Sequence, residues 1–236
     1  MPTVLVTGAN RGIGLEFVHQ YSDDGWSVLA CCRTPARADK LRDLASTNSR
    51  ISVHALDVGD FAAIDALAAK LRGQRIDVLL NNAGVYGPRA GAEHDRHQEF
   101  GHMDYAHWTR LFVVNTQAPL KMAEAFIEHV AASEQRRIVS ISTGLASISD
   151  ASGGFYAYRT TKAALNMEMV ALANDLRRRR IRVGLLCPGW VRTDMGGPNA
   201  TLAVEDSVRG LRARIAELDE PRSGTFYSYR GVPKPW

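Results

Sequence analysis

Cysteine is scarce: Cys31, Cys32 and Cys187 are all that 236 residues contain. An odd count, with two of the three adjacent in an apolar run, argues against a disulfide framework, and they read as small core residues. No stretch of about 18 apolar residues occurs, so no membrane-spanning helix and no membrane partner is expected. No basic leader precedes an apolar segment; the chain enters a strand-like run almost at once, and a cytoplasmic protein is expected. Charge of one sign is also limited, with 29 Lys and Arg against 25 Asp and Glu for a formal net charge of +4. The one basic run, Arg177 to Arg180, stands where a long helix should end, and cations there suit the helix dipole. Interleaved aromatics are missing from it, so nucleic acid is not an expected partner. Linkers, internal repeats and low-complexity tracts are absent too, so residues 1–236 read as one domain. With 45% hydrophobic residues the chain has enough apolar material for a sizeable core.

What is present is a repeated alternation of strand and helix patterns. Thr3 to Val6 is apolar and β-branched and runs into T-G-A-N-R-G-I-G, Thr7 to Gly14. A helical pattern follows through Tyr21, with Gly25 as its stop. Strand, glycine turn and helix is the arrangement a pyrophosphate needs: glycines let the backbone approach, and a helix start offers unpaired N–H groups. Ser27 to Cys32 is a second strand. It ends in Arg33, with Arg37 close by and no carboxylate before Asp39. A ribose 2′-hydroxyl calls for Asp or Glu at this place, whereas arginine suits a 2′-phosphate, so NADP(H) is expected over NAD(H). Arg11 in the glycine turn points the same way.

Ile51 to Leu56 reads as a third strand closing on Asp57 and Val58, a polar and an apolar side chain suited to bracket an adenine ring. Helical periodicity runs from Phe61 to Leu71. Ile76 to Leu80 reads as a fourth strand ending in N-N-A-G, Asn81 to Gly84. Amides there can fix the neighbouring strand and face a ribose, while Ala83 and Gly84 keep the backbone accessible. This alternation implies βαβ units, a parallel sheet, and a ligand at the carboxyl ends of its strands.

Val85 to His102 is polar and irregular, and reads as a loop over that site. His94, His97, His102 and His107 gather in this region, but without cysteine or an H-E-x-x-H pattern they read as surface histidines rather than metal ligands. Asp104 is the expected cap of a helix running past Ala131. Within it, Pro119 has no N–H to return to the Asn115 carbonyl, so a kink with a free carbonyl able to hold a water is expected. Arg137 to Ser142 reads as a fifth strand, placing the hydroxyls of Ser142 and Thr143 at its carboxyl end. A small-residue loop then leads to a helix carrying Tyr158 and Lys162. Residues four apart share a helix face, so the lysine cation is expected to lower the tyrosine pKa toward neutrality, as general acid–base work requires. Ile181 to Leu186 reads as a sixth strand, followed by C-P-G-W-V-R-T-D, Cys187 to Asp194, where Thr193 can reach a carboxamide. Val204 to Leu218 is helical, and Gly224 to Tyr227 is a candidate last strand. Tyr86, Tyr156 and Trp190 suggest a partly aromatic pocket for small apolar carbonyl compounds.

With T-G-x-x-x-G-x-G, N-N-A-G, the helical Asn, Ser/Thr after strand five, Y-x-x-x-K and P-G-x-x-x-T in this order, the chain resembles the short-chain dehydrogenase/reductase family. The segments Y-A-Y-R-T-T-K-A-A-L-N and P-G-W-V-R-T-D-M-G-G-P look like the subgroup of bacterial C-factor proteins and sniffer-type carbonyl reductases. The resemblance implies an α/β fold of Rossmann type, a doubly wound, mostly parallel seven-stranded sheet with helices on both faces. It implies an oxidoreductase passing hydride between NADP(H) and a carbonyl or alcohol, with Tyr158 as general acid/base and Lys162 binding the nicotinamide ribose. Asn115 then holds a proton-relay water. Gly8, Asn10, Arg11, Gly12, Ile13 and Gly14 cradle the phosphates, and Arg33 holds the 2′-phosphate. Asp57 and Val58 flank adenine, while Asn82, Ala83 and Gly84 line the ribose. Pro188, Gly189, Val191 and Thr193 line the nicotinamide. The family's serine aligns with Thr143 here; Ser142 serves if the register slips by one. A homodimer or homotetramer paired through the helices around Asn115 and Tyr158 is implied as well. The alternative is a dinucleotide-binding, C-factor-like signalling protein whose turnover is incidental.

Overall fold

The first apolar run forms strand β1, Thr3–Thr7, and all five of its residues are buried. The structure is a computed structural model, and it describes residues 1–87 and 96–236. Helix α1 (Gly12–Asp23) leads to β2 (Ser27–Cys32), α2 (Asp39–Thr47), β3 (Ile51–Ala55), α3 (Phe61–Lys70) and β4 (Val78–Asn81). The second half runs α4 (Tyr105–Phe112), α5 (Ala118–Ala131), β5 (Arg137–Ile141), α6 (Tyr156–Leu176), β6 (Arg182–Cys187), α7 (Val204–Ala216) and β7 (Phe226–Ser228). The seven strands form one sheet in the order β3-β2-β1-β4-β5-β6-β7. Every pairing within it is parallel, so the sheet is wholly rather than mostly parallel.

Alternate residues along each strand face opposite sides, and both sides are covered. Leu5, Leu79 and Ile138 pack with Met122 and Phe126 of α5 and with Leu165 and Met169 of α6. Val4, Val6, Val78, Leu80 and Val139 pack on the other side with Phe17, Val18 and Tyr21 of α1, Leu41 of α2, and Leu211 and Ile215 of α7. The strand order reverses between β1 and β4, and the crevice at that switch point opens at the carboxyl ends of the strands.

Five elements depart from the sequence reading. Helix α2 has no counterpart in the sequence pattern, because it is strongly polar and contributes a single fully buried residue, Leu41. Leu56 lies beyond β3, and Ile76 and Asp77 precede β4. The last strand is shifted to Phe226–Ser228, where it pairs with Leu185–Cys187. Asp104 caps the long helix, its carboxylate accepting from the His107 N–H, but the helix is split by a π turn over Val113–Gln117. The proline effect at Pro119 thus takes the form of a local π turn, a common answer to a missing helical N–H. Residues 88–95 of the anticipated loop, His94 among them, lie outside the described residues. His97 and His102 are exposed. Among the described residues no group of three or more His, Cys, Asp or Glu is gathered to hold a metal ion, and no helix is long and apolar enough to cross a membrane.

Candidate active site

A groove of about 890 Å³ runs along the carboxyl ends of the strands. Its first end is built by the glycine turn. Gly8 has a positive φ of 67°, and a Cβ there would lie 3.0 Å from Ala83 Cα. At Gly14 a Cβ would sit 2.2 Å from the Gly8 carbonyl oxygen, so only glycine lets the helix start lie this close under the turn. Thr7 ties this turn to β4: its Oγ1 accepts from the N–H groups of Asn82 and Ala83, each at 3.0 Å. Asn82 Nδ2 in return donates to the Thr7 carbonyl at 2.8 Å and the Gly8 carbonyl at 3.3 Å. Asn82 therefore fixes the neighbouring strand, with the small Ala83 and Gly84 beside it in the wall.

Arg33, Thr34 and Arg37 line the groove beyond β2, and Asp57 and Val58 line it beyond β3. Asp57 Oδ1 accepts from the Gly59 N–H at 2.9 Å, which turns the carboxylate into its own loop. Arg11 is placed differently. Its guanidinium reaches across to Asp194 at 2.8 Å, joining the glycine turn to the segment after Thr193. Thr193 in turn packs its methyl over Gly12, where a Cβ would be 3.2 Å away. Pro188, Gly189, Trp190 and Val191 complete this wall.

The far end of the groove carries Ser142, Thr143, Tyr158 and Lys162. Ser142 is buried, and its Oγ donates to Asn166 Oδ1 at 2.6 Å. Thr143 is partly exposed; its Oγ1 accepts from the Leu145 N–H at 3.2 Å, an interaction that does not use its own proton. Lys162 Nζ donates to the Ile141 carbonyl at 2.9 Å. Asn115 is fully buried and does not line the groove. Its Oδ1 accepts from the Val85 N–H at 2.8 Å, and its Nδ2 donates to the Val85 carbonyl at 2.7 Å and to Thr161 Oγ1 at 3.1 Å. This clamp holds the chain leaving β4 against α6. A Cβ on Gly84 would meet Asn115 Oδ1 at 3.4 Å and Lys162 Nζ at 3.6 Å, so the two side chains converge on the same glycine.

The electrostatics reverse one expectation. Burial, with the Cys187 thiol and the Tyr86 phenol beside it, holds Tyr158 above the ordinary tyrosine value of 10 instead of lowering it. Lys162 is itself weakened by burial, to about 8. The lysine is buried like the phenol, with its Nζ turned to the Ile141 carbonyl, and desolvation is the leading cause of both shifts.

The aromatic lining also differs in one residue. Tyr86 and Trp190 line the groove, but Tyr156 does not, because it starts α6 facing outward; Phe155 takes its place. The Tyr86 ring stands edge-on to Tyr158 at 4.8 Å and lies 5.8 Å from Phe155. Phe155, Leu145, Gln98 and Asn166 escaped the sequence reading. Leu145 was legible from its place just after Thr143. Gln98 and Asn166 act through contacts 60 and 24 residues away, and no local pattern marks them.

The chain is similar to proteins of one kind. C-signal of Myxococcus xanthus is 41% identical over 162 residues, which span 68% of this chain and 93% of that protein. The carbonyl reductase Sniffer of D. melanogaster superposes with a TM-score of 0.90 at 33% identity, over 100% of both chains. NADPH-bound carbonyl reductase from chicken fatty liver superposes with a TM-score of 0.91 at 34% identity, over 100% of this chain and 99% of that one. The short chain dehydrogenase family model matches residues 2–201, and with that match over most of its length the chain belongs to this family.

Proposed function

We propose that this chain is a single-domain, NADP(H)-dependent carbonyl reductase acting on small, largely apolar aldehydes and ketones. The observation that carries the reading is one continuous groove. A glycine cradle and two arginines stand at one end of it, and Thr143, Tyr158 and Lys162 at the other. The residues present fit a phosphorylated dinucleotide: Gly8 and Gly14 let the start of α1 lie close under the glycine turn, and Arg33 and Arg37 stand exposed where β2 ends. Gly8, Asn10, Arg11, Gly12, Ile13 and Gly14 would hold the pyrophosphate, with Arg33 on the 2′-phosphate. Asp57 and Val58 would flank the adenine, and Asn82, Ala83, Gly84 and Lys162 the ribose. Pro188, Gly189, Val191 and Thr193 would hold the nicotinamide. When bound, the nicotinamide supplies or takes up hydride.

Thr143 Oγ1 donates a hydrogen bond to the substrate oxygen and stabilises the charge that grows there. Tyr158 is the proton donor: a phenol held protonated by burial keeps its proton until a developing alkoxide, a far stronger base than a ketone oxygen, calls for it. Lys162 keeps positive charge at that end of the groove, and Asn115 fixes the geometry of the Val85 backbone and α6, from which a relay water can be held. Tyr86, Phe155, Leu145 and Trp190 form an apolar wall that suits an uncharged substrate. Exposed Tyr105 on α4 and Met167 on α6 support pairing of copies through those helices, as a homodimer or homotetramer. Three buried, unpaired cysteines suit a reducing, cytoplasmic setting.

The test is NADPH oxidation against a panel of aldehydes, ketones and quinones, with NADH and Tyr158→Phe as controls. Turnover with NADPH that vanishes in Tyr158→Phe supports the reading. Tight NADPH binding without turnover on any compound would move the weight to the signalling alternative, which the similarity to C-signal keeps in view.

A further inference from the structure

Gln98 is a buried polar side chain between two exposed neighbours, His97 and Glu99. Its Oε1 accepts from the Tyr158 N–H at 2.8 Å, and its Nε2 donates to the Tyr86 carbonyl at 2.6 Å. Its own backbone carbonyl accepts from the Tyr156 N–H at 3.1 Å. Tyr156 to Tyr158 is the opening turn of α6, where N–H groups have no partner inside the helix. The residue before that turn, Phe155, is left-handed with a φ of 54° and gives no side-chain cap. Gln98 therefore supplies from a distant segment the cap that Ser, Thr or Asp supplies locally at other helix starts. The same amide fixes Tyr86, whose ring forms the wall against Tyr158.

We propose that Gln98 is a positioning residue that sets the Tyr158 hydroxyl and the Tyr86 wall against each other, so that proton delivery and acceptance of the substrate share one support. This rests on the carbonyl reductase reading. Glutamine is suited to the task because one end of its amide accepts and the other donates. Glutamate keeps the acceptor for Tyr158 but, when ionised, turns a second acceptor toward the Tyr86 carbonyl. Leucine keeps the volume and loses both contacts.

Wild type, Gln98→Glu and Gln98→Leu are compared by kcat and KM over a pH range, by NADPH binding, and by amide hydrogen exchange over residues 156–158. NADPH affinity stays unchanged in all three. Gln98→Leu loses about tenfold or more in kcat, as small misplacements of reacting groups do, with a displaced pH–rate limb and faster exchange at the start of α6. Gln98→Glu keeps the exchange protection and most of kcat; its KM rises at neutral pH and recovers in acid, where the protonated carboxyl donates again. Unchanged kcat, KM and exchange in Gln98→Leu would overturn the proposal. So would loss of NADPH binding in step with kcat, which is what general unfolding gives. If the wild type turns over no carbonyl compound, the reductase reading fails, and exchange over residues 156–158 still decides the role of Gln98.

Discussion

Ser142 and Thr143 are adjacent hydroxyls, and the structure gives them different partners. Ser142 Oγ donates at 2.6 Å to Asn166 Oδ1 inside the core, while Thr143 faces the groove as the acceptor for the Leu145 N–H. The alternation of side chains at a strand end separates them. Thr143→Ala should lower kcat by roughly a hundredfold or more, the usual cost of losing a donor to a developing oxyanion, with little change in thermal stability. Ser142→Ala should retain most of its turnover and lose about 1–3 kcal/mol of stability, because it strands the Asn166 oxygen without a donor. Steady-state rates and urea unfolding of the two variants, measured side by side, check this. The reverse pattern would make Ser142 the working hydroxyl.

Arg33 and Arg37 have no ion-pair partner among the described residues, whereas Arg11 is joined to Asp194. The two arginines beyond β2 are therefore free to meet a 2′-phosphate. Arg33→Ala should raise KM for NADPH by roughly tenfold to a hundredfold, the equivalent of one charge-assisted contact, and leave KM for NADH where it was. Equal effects on both cofactors would place Arg33 elsewhere on the dinucleotide.

Most of this architecture could be read from residues alone, and the exceptions share a cause. Strands β1, β2 and β5 are apolar, β-branched runs that announce themselves, and each strand-end motif pointed to the same crevice. Helix α2 is a short, strongly polar segment that buries Leu41 fully and Leu44 and Ala45 only in part, so too few apolar residues mark it. Strand β7 is three residues long and is defined by its partner β6, so its bounds were not local information. The Tyr158 and Lys162 spacing was legible, but their environment was not. Helical spacing gives neighbours; it does not say that both groups are buried, with Lys162 turned to Ile141. The choice between Phe155 and Tyr156 failed similarly, since it depends on the left-handed turn at Phe155 that starts α6.

Glu168 on α6 has a buried Oε2 with no hydrogen-bond partner among the described residues, and burial raises it to about 7 from an ordinary 4.5. Below pH 4.5 the folded and unfolded chains are both protonated there, and the group costs nothing. Between 4.5 and 7 the unfolded chain gives up the proton first, so stability falls as pH rises, and the loss is complete above 7. Glu168→Gln should therefore be more stable than wild type at pH 8, by about 1 kcal/mol because solvent screens part of the cost at this half-buried site, and nearly equal to it at pH 4.5. Urea midpoints at the two pH values check this, and a variant advantage independent of pH would refute it.

Lys162 gives the opposite slope. Its folded value of about 8 lies below the ordinary 10.5, because burial disfavours the ammonium. Below pH 8 both the folded and unfolded chains hold the proton, and the fold bears the full cost of a buried cation. Between 8 and 10.5 the folded chain has released a proton that the unfolded chain still binds, so this group makes stability rise with pH. Above 10.5 the contribution is flat. Lys162→Met should thus lose turnover yet gain stability at pH 7, on the order of 2–3 kcal/mol, and the gain should shrink toward zero as pH approaches 10.5. Cys31 and Tyr158, both pushed up by burial, lower stability at alkaline pH in the two proteins alike. The difference between wild type and variant therefore isolates the lysine, and a gain that stayed constant from pH 7 to 10 would mean that Lys162 is not desolvated in the folded chain.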